Sequence, residues 1–400
     1  MSICPPISKS ETDLKLRAEQ LKDQLVKIRR QIHAHPEYGF QEYETANLIA
    51  NTLKQIGARV REGVAKTGLV GEIGEGTPVV AIRADMDALP LMEATNLPFA
   101  SQVPNMMHAC GHDAHVACAL GAAMLLSRES LPGTVRFLFQ PSEEQKGEDG
   151  KSGAMRLLEE GALDGVASII ALHTRALPVG SIGVTPGPAM AANDTIKITI
   201  LGRAAHGAHP EEGLDSIAVA AQVLHAIQQI VSRKIPAISH AVISITTIHG
   251  GIKENIIADR VEMVGTIRST GGDARHRLLT ELERALEVGR VLGAGCDLEI
   301  REGYPATIND PHVTAVIREA GTSVLGPSQV IEMPFDTWAE DFGYLTARVP
   351  GSMFWLGVTS EGVANPVWHS PAFDIDEGAL PIGAAVLAAA AMRLLDIADR

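Results

Sequence analysis

Met107-His108-Ala109-Cys110-Gly111-His112-Asp113-Ala114-His115 packs one thiol and three imidazoles into a few residues and runs at once into the small-residue helical stretch Val116 to Leu126. At a helix start the backbone N–H groups are unpaired and a thiolate is favoured. Side chains set that closely either bind a metal or do chemistry. The chain must therefore fold so that other polar segments can be brought to this one.

A chain of 400 residues with 46% hydrophobic content has ample material for a sizeable core and, at roughly 100 to 200 residues per domain, for two or three domains. Its formal charge of -14, without any notable Lys/Arg run, makes nucleic acid or an anionic membrane an improbable partner. Met1 to Ser10 lacks the pattern of a secretory signal, so a cytoplasmic protein is expected. The apolar stretch Ala379 to Met392 contains Pro381, runs into Arg393 and falls short of the ~20 residues of a membrane span; it reads as a buried C-terminal helix. Four cysteines make no disulfide framework in a chain this long, and Cys4, Cys118 and Cys296 read as ordinary reduced thiols.

Apolar spacing predicts helices over Glu11 to Ala34, ended at His35-Pro36, and over Gln41 to Ile56, ended by Gly57. His33 and His35 read as helix-end residues that meet the C-terminal dipole. Short β-type runs follow at Leu69 to Ile73 and Val79 to Ala84, the second leading into Asp85-Met86-Asp87. Strand Thr134 to Phe139 leads into Gln140-Pro141-Ser142-Glu143-Glu144, and strand Ser168 to Leu172 into His173. Three polar islands thus follow strands, where α/β sheets place their sites, and the alternation with helices predicts a largely parallel central sheet. After the link Thr185 to Ala189 the pattern becomes β-α-β-β-α-β, that of a ferredoxin-like domain. The expected organisation is an α/β catalytic domain in two parts, 1–189 and 304–400, around an inserted satellite domain, 190–303.

Cys110, His112, Glu144, His173 and His369 are soft-to-intermediate and carboxylate ligands from separate loops, and five such groups could hold two ions with a shared bridging atom. A metal would keep Cys110 as a thiolate and bring the pKa of bound water to ~7. Glu143, beside Glu144, is the natural base, because consecutive side chains of an extended segment point different ways. An isolated Glu-Glu pair is usually a solvated turn; the company of the other ligands argues against that here. His108 and His115 flank the ligand pair, and each reads as readily as a hydrogen-bond donor behind the ligands as anything sharper. One of His206 and His209, in Gly202-Arg203-Ala204-Ala205-His206-Gly207-Ala208-His209-Pro210, could face a substrate, whereas His225 and His249 read as structural and His240, His276 and His312 carry no signal.

These residues resemble the amidohydrolase branch of the aminoacylase and carboxypeptidase metallopeptidases, which includes hippurate hydrolases, N-acyl-amino-acid amidohydrolases and hydrolases of indole-acetyl-amino-acid conjugates. The resemblance runs from Arg29-Arg30-Gln31-Ile32-His33-Ala34-His35-Pro36-Glu37 through Arg83 to Pro90, Met107 to His115, Gln140 to Glu144 and Glu340-Asp341-Phe342. It ends in His369-Ser370-Pro371 and Phe373 to Glu377. It implies a dinuclear catalytic domain interrupted by a dimerising satellite domain, with Cys110 bridging the ions, His112 and Glu144 completing one site, and His173 and His369 the other. Glu143 would be the general base, and His206 would stabilise the oxyanion, often across a dimer. Asn255 and Arg268 match positions that bind the substrate's oxygens or carboxylate. Relatives carry His-x-Asp where this chain has Asp85-Met86-Asp87, so a ligand is replaced there, His112 takes its place, and Asp87 lies behind the ligands.

The resulting expectation is hydrolysis of N-acyl amino acids by an enzyme with two divalent ions, zinc or manganese first, nickel or cobalt next, acting as a homodimer or higher oligomer on a small molecule. The alternatives are a dipeptidase or carboxypeptidase with the same chemistry, a thiol amidase with Cys110 as nucleophile, and a ligand-binding protein that kept the pocket and lost catalysis. Aromatic content is only 4%, so Trp338, Trp355 and Trp368 are the few candidates for stacking an aromatic acyl group.

Overall fold

A computed structural model describes residues 9–361, 365 and 367–398; Cys4 lies outside them. The chain forms two compact units, one of Met1–Gly187, Ile308–Pro334 and Tyr344–Arg400, the other of Pro188–Thr307 and Phe335–Gly343.

The first unit is built on an eight-stranded sheet in the order Arg59–Val64, Gly68–Gly74, Thr134–Gln140, Val79–Asp85, Val166–Pro178, Gly351–Thr359, Ile182–Val184, Val330–Glu332. Val79–Asp85 runs parallel to both its neighbours, and Val166–Pro178 is parallel to Gly351–Thr359. Every residue of Val79–Asp85 is buried, as a strand covered on both faces requires. Strand register aligns the polar segments. Asp85 pairs with Gln140 and Arg83 with Ala171, so Asp85, the Gln140 corner and His173 come level at one edge of the sheet.

Helix His112–Leu126 is buried along its whole length and packs against Ala379–Ala398. Small residues allow this: a Cβ on Gly121 would lie 2.7 Å from Ala384 Cβ, and one on Gly383 would lie 2.6 Å from Cys118 Sγ. Ala379–Ala398 is longer than its apolar stretch suggested and meets the length of a membrane span, yet Ala384 to Ala391 are buried in this core. The helix expected over Glu11 to Ala34 is two, Lys9–Gln20 and Lys22–Ala34, parted at Leu21, whose N–H turns to the Ala18 carbonyl.

The second unit contains, in chain order, Ala192–Leu201, helix Ser216–Lys234, Ala241–Gly250, Arg260–Ser269, helix Gly272–Val291 and Gly295–Glu302. The strands form an antiparallel sheet ordered Gly295–Glu302, Ala192–Leu201, Arg260–Ser269, Ala241–Gly250. This is the ferredoxin-like β-α-β-β-α-β arrangement. Its core is aliphatic, with Ile196, Ile198 and Ile200 clustered with Val219, Val223 and Leu282. Phe335–Gly343 joins this unit, with the Ala191 N–H bonded to the Trp338 carbonyl and the Asp336 N–H to that of Ala189.

Candidate metal centre

Gly111 makes the cysteine-histidine motif possible. It precedes helix His112–Leu126 with φ 90°, and a Cβ there would lie 2.6 Å from Thr174 Oγ1, so only glycine can turn the chain between Cys110 and His112. Thr174 donates its hydroxyl to the Cys110 carbonyl, and His369, at φ 57°, gives its N–H to the Ala109 carbonyl. Bonds to main-chain carbonyls thus tie three distant segments together before any ligand atom is considered.

The fold brings the five candidate ligands into one cluster. One ligand atom each from Cys110, His112 and His173 lies within 4.8 Å of the others, and the same holds for Cys110, Glu144 and His369 and for His112, Glu143 and Glu144. Cys110 Sγ is 3.5 Å from His173 Nε2, and Glu144 Oε1 is 3.2 Å from His369 Nε2 and 3.9 Å from His112 Nε2. Cys110 stands in both of the first two groups, the position a shared ligand would need.

Asp87 holds the glutamate pair. Its two carboxylate oxygens accept the N–H groups of Glu143 and Glu144, each at 3.0 Å, and its carbonyl lies 2.9 Å from His112 Nδ1. That bond leaves Nε2 of His112 as the free ligand atom. His115 acts in a similar way. Its Nδ1 is 2.6 Å from Asp85 Oδ1, and its Nε2 accepts the Thr174 N–H, next to His173. His108 does not follow the expectation made for it: it is buried with neither ring nitrogen hydrogen-bonded among the described residues, and burial lowers its pKa to about 4. His33 stands beside it, ring centroids 6.3 Å apart, but turns its own two nitrogens to Asp113 and Glu93.

The electrostatics of the cluster fit cations. Burial, then the charges of Glu144, Glu143 and Asp85, push the Cys110 thiol well above its ordinary pKa, so the helix start does not by itself favour a thiolate. Burial lowers the pKa of His112, but Asp85, Asp87 and Glu144 more than reverse this and raise it to about 10. Burial and the neighbouring His115 hold His173 well below the usual histidine range. His112 Nε2 and Glu144 Oε1 are buried and make no aligned hydrogen bond among the described residues. Orphaned donor atoms among soft and hard ligands, in a pocket of excess negative charge, are what divalent ions would satisfy.

Residues outside the expected set buttress this centre. Arg29, fully buried, bonds Asp113 at 3.0 Å and Asp374 and Glu377 at 3.1 Å. His33 reaches Asp113 at 2.8 Å and Glu93 at 3.3 Å. Burial works against its charge, but the bonds to Asp113 and Glu93 prevail and raise its pKa to about 9. The helix-end reading therefore fails for His33, whereas His35 does lie exposed with Nδ1 3.1 Å from the Gln31 carbonyl. The four-residue spacing of Arg29 and His33 on one helix face was the signal available in the sequence.

The second unit holds the remaining candidates. His206 is exposed, bridges to Ile256 and accepts the Ala208 N–H on Nδ1; Asn255, also exposed, gives its carbonyl to the Gly207 N–H. These two are neighbours. Arg268 is not, because Arg260 pairs with Leu201 at the strand end leading to His206 whereas Arg268 pairs with Asn193 at the other end. Eight residues of strand, roughly 26 Å at about 3.3 Å each, separate the two places. Of the tryptophans, Trp355 and Trp368 pack on His173 with ring centroids 6.0 and 4.7 Å away, and the Arg175 guanidinium lies over both indoles. Trp338 belongs to the second unit.

Residues 81–393 match the model of the peptidase family M20/M25/M40. The chain is 40% identical to the N-acetylcysteine deacetylase of Bacillus subtilis over 380 residues, 93% of this chain and 97% of that protein. It is likewise 40% identical to thermostable carboxypeptidase 1 of Saccharolobus solfataricus over 381 residues, 93% of this chain and 95% of that one. Among solved structures, the YXEP protein of Bacillus subtilis, described as a dinuclear metal binding peptidase, is similar with a TM-score of 0.82 and 38% identity, covering 94% of this chain and 99% of its own.

Proposed function

We propose, for a chain that belongs to the peptidase family M20/M25/M40 and is a metal-dependent amidohydrolase, that the substrates are N-acyl amino acids and that Glu143 is the general base. Cys110, His112, Glu144, His173 and His369 would hold two divalent cations, with Cys110 shared between them. When bound, such ions supply Lewis-acid polarisation of the amide carbonyl and make water more acidic. Glu143 takes a proton from the attacking water as the C–O bond forms. It then returns that proton to the amine nitrogen as the C–N bond breaks. Asp87, through the N–H groups of Glu143 and Glu144, keeps one carboxylate for the proton and the other for the metal. His206 is assigned to the oxyanion, and Asn255 and Arg268 to the oxygens and carboxylate of the substrate.

The observation that carries this reading is the presence of Glu143 in the ligand cluster, within 4.8 Å of His112 and Glu144 donor atoms. Binding alone needs no further carboxylate there. Burial and the charges of Glu144, Glu143 and Asp85 hold the Cys110 thiol well above its ordinary pKa, so the thiol amidase is the weaker reading. A carboxypeptidase or dipeptidase with the same chemistry remains the second reading, supported by the name of the carboxypeptidase relative.

The division into catalytic parts 1–189 and 304–400 and satellite 190–303 belongs to the same proposal, as do a cytoplasmic location and a homodimer formed through the second unit. The dimer is supported by the separation of His206 and Asn255 from Arg268 along one sheet, since a small substrate cannot span it within a single copy. It is also supported by the edge strand Ala241–Gly250, whose outer side has no strand partner among the described residues and where Ile248 is 52% exposed. The test is a hydrolysis panel of N-acetyl and N-benzoyl amino acids and dipeptides, run on chelated protein with zinc, manganese, nickel or cobalt added back. Turnover of acyl amino acids restored by metal is the expected result; full activity after chelation would overturn it, and preference for dipeptides would select the second reading.

A further inference from the structure

Glu42 occupies the N-cap position of helix Tyr43–Gln55 but does not cap it. The Glu44 and Thr45 N–H groups are taken by the carboxylate of Glu37, at 2.9 and 2.8 Å. The Glu42 carboxylate is 0% exposed and is directed elsewhere. Its Oε1 accepts the Ser142 N–H at 2.9 Å, and its Oε2 accepts the Thr67 hydroxyl at 2.5 Å. Ser142 immediately precedes Glu143 and has φ 49°, in the left-handed region that a side chain disfavours.

The three successive N–H groups of Ser142, Glu143 and Glu144 are thus held by two buried carboxylates, Glu42 and Asp87. Burying a second carboxylate near Asp87 is unfavourable: burial and the Asp87 charge raise the pKa of Glu42 to about 7 against the pull of its hydrogen bonds. A fold that only needed a closed turn could use a neutral acceptor. The surroundings leave the turn little other freedom, since a Cβ on Gly39 would lie 2.4 Å from Ser142 Oγ and one on Gly68 would lie 2.7 Å from Pro141 Cδ.

We infer that Glu42 is a positioning residue for the Glu143–Glu144 pair, acting through the Ser142 N–H to hold the left-handed turn that aims one carboxylate at water and the other at the metal. The inference rests on the proposed roles of Glu143 and Glu144. A glutamine at position 42 keeps an oxygen for Ser142 and can give its amide hydrogens to the Thr67 hydroxyl, whereas alanine removes both partners.

The experiment compares Glu42→Ala and Glu42→Gln by calorimetric titration of the metal-free protein with Zn2+ or Mn2+ alone, by kcat and KM, and by thermal melting. Alanine is expected to lower metal affinity and kcat by roughly 10- to 100-fold with KM within about twofold, and glutamine to restore both to within about threefold. Metal affinity and kcat unchanged in the alanine variant would overturn the inference, as would failure of glutamine to restore a loss. If the alanine variant does not fold, Thr67→Val, which frees only Oε2, is expected to lower both quantities several-fold, and unchanged values there overturn the inference equally. Wild-type protein that binds metal but hydrolyses none of the panel would refute the proposed function, while the affinity comparison would still decide the role of Glu42.

Discussion

The two regions that carry candidate functional residues are built on opposite terms. In the first unit, Cys110, His112, Glu143 and His173 are buried; Asp87 holds the Glu143 N–H and the His112 ring, and Asp85 holds His115, which accepts the Thr174 N–H beside His173. In the second, His206 and Asn255 sit on loops, joined by main-chain bonds, and Arg268 lies a sheet's length away. Ligands must be held to a fraction of an ångström because orphaned buried atoms and like charges are costly when misplaced. Groups that meet a substrate only when it binds carry no such demand.

The widest gap between the regions should be seen at Glu143, the proposed base. Glu143→Gln is expected to lower kcat by roughly 10³- to 10⁴-fold with metal content unchanged, measured by elemental analysis beside steady-state rates. Activity retained within tenfold, on the order of 1.4 kcal/mol, would break the comparison at its centre. Next in size, His206→Ala is expected to cost about 10²- to 10³-fold in kcat with no change in metal affinity or melting temperature, as for loss of one oxyanion donor. A fall in metal affinity in this variant would mean that the second region also shapes the centre.

The smallest effect concerns stability and tests whether the first region depends on its buried ion pairs. With a folded pKa raised to about 9 from an ordinary 6.5, His33 contributes stability that is fully present below about pH 6.5 and is lost as pH rises through about 9. The contribution is at most about 3 kcal/mol. Denaturant midpoints of the wild type should therefore fall between pH 6.5 and 9 more steeply than those of His33→Gln, with kcat at pH 7 changed only a few-fold. Parallel pH curves would show that His33 is held by packing alone.

How legible these regions were in the sequence follows the range of the interactions. Cys110, His112 and the Glu143-Glu144 pair are grouped by adjacency, and Asp85 and Asp87 by their place after an apolar strand, so residue type and period were enough to single them out. His33 was misread because its partner, Asp113, is 80 residues away, and Glu42 passed unnoticed because its partner, Ser142, is 100 away. Local rules assigned His33 to a helix end and gave Glu42 no role, and in both cases a tertiary partner sets what the side chain does. The break at Leu21 was hidden for a different reason, being a local turn of the chain within a continuous apolar pattern.

The sequence by itself determined the α/β class, the ferredoxin-like pattern of the second unit and the chemical types gathered around Met107 to His115, because periodicity and side-chain chemistry are local properties of a chain. Only the tertiary structure decided that Cys110 stands in both ligand groups, that its thiol lies among carboxylates rather than beside a helpful helix start, and that His206 and Arg268 lie at opposite ends of one sheet. The reason is physical: burial, Coulomb interaction and strand register act through space, and parallel pairing of Val79–Asp85 with its neighbours fixes which distant residues share an edge.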